Sequence, residues 1–97
     1  MSKCVERGFT VRSELGLHAR PAGEFVVMAG RFESEISVGN GREWVDGRSV
    51  LSLLSLAAGR GVELRVRAIG EDAEEAVTAL GALIERSHTE IENSAAG

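Results

Sequence analysis

The stretch VELRVRAIG, residues 62–70, alternates without a break. Val62, Leu64, Val66 and Ala68 fall on one side, with Glu63, Arg65 and Arg67 on the other. A period of two marks a half-buried strand, so its sheet has one dry face and one wet face. The dry face needs a cover, and the flanking segments supply it. Downstream, residues 72–86 place Ala73, Ala76, Val77, Leu80, Leu83 and Ile84 on one helical stripe. Upstream, a second helix is expected from Ser49 to Gly59.

Further upstream the period returns to two. SEISVGNG (34–41) puts Ile36 and Val38 on one face, and REWVD (42–46) reads as the returning strand, with Glu43 and Val45 on one face and Trp44 on the other. Asn40-Gly41 between them is a hairpin turn, since both residues tolerate positive φ. Residues 19–30 form a helix with Ala22, Phe25, Val26 and Ala29 at i, i+3, i+4 and i+7, and Gly30 as its stop. GFTVRSE (8–14) alternates and reads as the first strand, Phe9 and Val11 pointing inward. The order is β-α-β-β-α-β-α. A single antiparallel sheet with helices on one side satisfies every apolar face, an α+β fold.

The chain has 97 residues, 43% hydrophobic and 27% charged, which is one small domain with one core. Residues 1–88 are expected to form it, with 89–97 as a frayed tail, because periodicity is lost from His88 onward. So small a domain has no room for a deep catalytic cavity, and any reactive group sits near the surface. The net charge of −4 argues against generic nucleic-acid or membrane-surface binding. Cys4 is the only cysteine, so no internal disulfide forms, and neither a signal peptide nor a membrane span is visible; a cytoplasmic protein is expected.

One segment carries chemistry. In LGLHARPAG (15–23), Pro21 fits the first turn of a helix, where its missing N–H costs nothing. His18 therefore lies at the positive end of the helix dipole, beside first-turn amides. An anion attached to the ring would be stabilised by the amides and by Arg20. Gly16 lets the backbone turn sharply between strand and helix. The plain alternative is a partly exposed histidine with no chemical role. A metal site is disfavoured, because the chain has two histidines, His18 and His88, and no cysteine near either. No G-x-S-x-G motif offers a hydrolytic serine.

Leu15-Gly16-Leu17-His18-Ala19-Arg20-Pro21-Ala22 resembles the active-site signature of the HPr phosphocarrier family of the phosphoenolpyruvate:sugar phosphotransferase system. The resemblance extends over about residues 7–86: the element order, the Asn40-Gly41 hairpin, the Gly-Arg-Gly turn and the Gly70-Glu71-Asp72 helix entry. It implies an HPr-like open-faced β-sandwich, a four-stranded antiparallel sheet with three helices on one face. It also implies a carrier and not an enzyme. His18 would accept a phosphoryl group on Nδ1 from phosphorylated enzyme I and pass it to an enzyme IIA-type partner, Arg20 holding the phosphoryl oxygens. No cofactor or metal is implied, and a monomer is expected.

Some family members carry a regulatory serine at the start of the second helix, and the matching stretch here is Gly47-Arg48-Ser49-Val50. Ser49 reads physically as an N-cap. A phosphate placed there by an HPr kinase/phosphorylase would gain from the helix terminus and Arg48. In the same helix Leu53 and Leu56 are assigned to the core, while Val50, Leu51 and Leu54 are expected to be partly exposed as a docking patch. The chain departs from the family in three ways. It lacks lysines around that face, has Gly23 where Ala or Thr is common, and adds the negative charge of Glu24. These departures leave room for a regulatory, nitrogen-type phosphorelay. A docking module in which His18 does no chemistry is the remaining alternative.

Overall fold

A computed structural model describes residues 3–86. The elements are β1 (Lys3–Thr10), α1 (Ala19–Ala29), β2 (Glu35–Gly39), β3 (Trp44–Asp46), α2 (Val50–Ser55), β4 (Glu63–Gly70) and α3 (Ala73–Glu85). The four strands form one antiparallel sheet in the order β1-β4-β2-β3. The helices lie on one face, giving the expected open-faced α+β sandwich. The expected tail, 89–97, lies outside the described residues, as does His88.

The alternation of β4 sorts its side chains as its sequence requires. Leu64, Val66 and Ala68 are fully buried under the helices. Arg65 and Arg67 lie on the open face, where both bond Glu6 of β1, at 2.7 and 3.1 Å. These bonds, Arg65's first and then Arg67's, hold the Glu6 carboxyl below the usual carboxylate range. Arg67 also stacks 4.0 Å from the Trp44 ring centre. The α3 stripe (Ala73, Ala76, Val77, Leu80, Leu83, Ile84) and Ala22, Phe25 and Ala29 of α1 complete the core. Val26 is only partly buried and packs at its margin.

Three boundaries differ from the sequence reading. The first strand spans Lys3–Thr10 rather than 8–14. Its early half carries Val5 as the lone inward apolar residue, because Arg7, on the same side, reaches Glu74 and Thr78 of α3. An ion pair at the sheet edge replaced the hydrophobic signal. The hairpin turn spans four residues: Gly39 pairs with Trp44, and the Asn40 side chain accepts from the N–H groups of Arg42 and Glu43. The returning strand therefore starts at Trp44. The second helix ends at Ser55 rather than Gly59. The N–H of Ala57 bonds the Leu54 carbonyl at 3.1 Å, and Ala57 turns left-handed at φ 49°. That turn buries Ala58 in the core, where a continued helix could not place it.

Asp72 precedes α3 but does not cap it with its side chain. Its carboxylate accepts from the Ser34 hydroxyl at 2.6 Å and from the N–H groups of Glu33 and Ser34 at 2.8 and 3.0 Å. Led by the Ser34 hydroxyl, these bonds hold the Asp72 carboxyl below its ordinary range.

Candidate functional site

The loop between β1 and α1 is built by contacts on both sides of His18. Ser13 is buried, and its hydroxyl donates to the Gly16 carbonyl at 2.6 Å. The Gly16 N–H returns to the Ser13 carbonyl at 3.0 Å. Gly16 sits at φ +77°, and a Cβ there would lie 2.5 Å from the Ala58 carbonyl oxygen. Glycine is thus required twice, for backbone conformation and for close approach. The next residue locks the contact: the Leu17 N–H donates to the same Ala58 oxygen at 2.8 Å. Sequence reading missed both Ser13 and Ala58. Nothing local marks Ala58, because its role depends on a loop forty residues away in the chain.

His18 is the N-cap of α1, in extended conformation at φ −93° and ψ −173°. Its carbonyl accepts from the Ala22 N–H at 3.0 Å, which starts the helix. Its side chain makes no capping hydrogen bond. A capping side chain turns back on its own first-turn amides, and the imidazole does not do this. The residue is half-buried at the helix entry. Arg20 is exposed in the first turn, and Pro21 is buried there, as the sequence required. A groove of about 590 Å³ begins at Ala19 and Arg20 and is lined further on by Val27, Met28, Arg31 and Leu83. Val27 is 66% exposed along it.

The second helix lies against α1 and β3. Leu53 and Leu56 are buried and Leu51 is 80% exposed, with Val50 and Leu54 between these extremes. The division agrees with the reading from the helical wheel. Ser49 caps α2, its hydroxyl accepting from the Ser52 N–H at 3.2 Å. Arg48 does something the sequence did not suggest. Its guanidinium donates to the carbonyls of Phe32 and Ser34 at 2.7 and 2.9 Å, bracing the start of β2. Both bonds come from the Nη2 atom of the guanidinium.

Fold and loop together define a small carrier-type domain, with a histidine presented at a helix entry instead of enclosed in a cavity. The family described as PTS HPr component phosphorylation site matches residues 5–86. The chain belongs to this HPr family: it is a phosphocarrier of the phosphotransferase system, not a catalyst. It is 45% identical over 76 residues to the phosphocarrier protein HPr of Pseudomonas aeruginosa, covering 77% of this chain and 84% of that one. It is 36% identical over 86 residues to the phosphocarrier protein NPr of Shewanella violacea, covering 89% and 94%. The crystal structure of a phosphocarrier protein HPr from Bacillus anthracis superposes with a TM-score of 0.81 at 36% identity, covering 84% of this chain and 98% of that one. Among the described residues, no helix is long and apolar enough to cross a membrane.

Proposed function

We propose that His18 accepts a phosphoryl group on Nδ1 from phosphorylated enzyme I and hands it to an enzyme IIA-type protein. The observation that carries this reading is the place of His18 in the fold: its carbonyl accepts the Ala22 N–H and starts α1, so the residue stands at the positive end of that helix. In the forward step the Nδ1 lone pair forms the new N–P bond. The bond from phosphorus to the donor breaks, and its electron pair leaves with the donor. The positive end of α1 offsets the negative charge that arrives. Arg20 holds two phosphoryl oxygens through its planar fork. A surface position suits a group that must meet two proteins in turn. Val50, Leu51 and Leu54 form the apolar part of the docking surface.

The test is incubation with phosphoenolpyruvate and enzyme I. One acid-labile phosphoryl group is expected, and His18→Ala abolishes it. An unmodified wild type in the presence of competent enzyme I refutes the reading for that donor. If His18→Ala keeps partner binding and cellular function intact, the chain acts as a docking module instead. The similarity to NPr and the missing lysines on the docking face favour a second assignment, to a regulatory nitrogen-type branch. Transfer to a nitrogen-type IIA in preference to a sugar-type IIA distinguishes the two. Ser49 is the proposed regulatory position, its phosphate adding negative charge beside the docking patch. Mass analysis after incubation with an HPr kinase/phosphorylase and ATP decides this, and an unmodified Ser49 sinks it for that kinase.

A further inference from the structure

Next to His18, the Leu17 N–H is held by the Ala58 carbonyl of a distant turn, and that turn contains the only non-glycine residue at positive φ among those described. We infer that Ala57 is a positioning residue for His18: its left-handed turn aims the Ala58 carbonyl at the His18 loop. This rests on His18 being the phosphoryl acceptor. The chain of contacts is short. Leu56 and Ala57 close α2 with bonds to the carbonyls of Leu53 and Leu54, at 3.2 and 3.1 Å. Ala57 then adopts φ 49°, which an L-residue other than glycine, asparagine or aspartate seldom does. Strain of this kind persists where surrounding contacts over-determine it. Here the Ala58 methyl is buried on one side of the turn, and its carbonyl takes the Leu17 N–H at 2.8 Å on the other.

Two properties make Ala57 a lever. Its side chain is exposed, so substitutions act through the backbone and not through lost packing. The turn also joins α2, which bears Leu51, directly to the contact with Gly16 and Leu17.

The experiment compares Ala57→Gly and Ala57→Val with the wild type. Glycine adopts the left-handed turn without steric cost, whereas a β-branched side chain opposes it. Three quantities are read: urea stability, exchange of the Leu17 amide, and the rate of His18 phosphorylation at saturating enzyme I. In Ala57→Val the Leu17 amide should exchange about tenfold faster, while core amides in β4 change in proportion to global stability only. Phosphorylation at saturation should slow several-fold with little change in KM, and Ala57→Gly should retain the wild-type values of both. A Leu17 amide in Ala57→Val that exchanges as in the wild type, or loosens only as much as β4, overturns the inference. So does faster exchange with an unchanged phosphorylation rate. If wild-type His18 takes no phosphate at all, the reading of His18 fails, and the Leu17 exchange still decides whether Ala57 holds the loop.

Discussion

Two glycines seven residues apart should respond to alanine with opposite signs. Gly16 lies at φ +77° before α1, and Gly23 lies inside it. At Gly16 a left-handed alanine costs about 1–2 kcal/mol. The new Cβ would also lie 2.5 Å from the Ala58 oxygen and 2.8 Å from the Gly59 Cα, both backbone atoms. Relief needs a shift of one loop against the other, and the 2.8 Å Leu17–Ala58 bond lies in that gap. Weakening it adds about 1 kcal/mol, for a total of roughly 2–4 kcal/mol. At Gly23 a Cβ meets nothing within 4 Å. Alanine there gains helix propensity, so stability should rise by about 0.5–1 kcal/mol. Urea denaturation of both variants, with matched m-values, gives the two free energies. A neutral Gly16→Ala would show that the loops do not meet as described. A destabilising Gly23→Ala would refute the open space over α1.

Other outcomes follow from the same packing. Leu53→Ala should cost about 2–5 kcal/mol, because the side chain is fully buried. Leu51→Ala should stay within about 0.5 kcal/mol of wild-type stability, because Leu51 is exposed, yet it should weaken partner docking. Equal destabilisation by the two would contradict the orientation of α2. Arg48→Ala should lose about 1–2 kcal/mol and loosen the start of β2, since two carbonyls lose their donor; unchanged amide exchange at residues 32–36 would count against it. The carboxyls of Glu6 and Asp72 are held low by their hydrogen bonds, so the folded chain releases these protons at lower pH than the unfolded chain. Their stabilisation is complete above the ordinary carboxylate range, about pH 4, and is lost as pH falls through the lowered values. A Glu6→Gln/Asp72→Asn variant should show a flatter acid limb in urea midpoints; an unaltered limb would rule these two groups out.

Much of the molecule was legible in its sequence because the governing physics is local. Alternation in residues 62–70 is a consequence of strand geometry, and the α3 stripe a consequence of the helical period. Pro21 marks a helix start through its own ring. Those signals gave the element order, the dry face and the position of His18 at a helix entry. Even the split of α2 between buried Leu53 and exposed Leu51 follows from angles around one helix.

The remainder depended on contacts between segments far apart in the chain. Val5 and Arg7 do not look like a strand until β4 lies alongside and Glu74 meets the guanidinium. Residues 56–59 could continue a helix, and the chain leaves it because Ala58 is needed in the core and at the His18 loop. Arg48 is drawn to two carbonyls that no local pattern places near it. The sequence by itself determined which histidine stands at the helix entry and why an anion is welcome there. Only the tertiary structure decided what holds it in place: a glycine too small to clash and one carbonyl from a turn forty residues away.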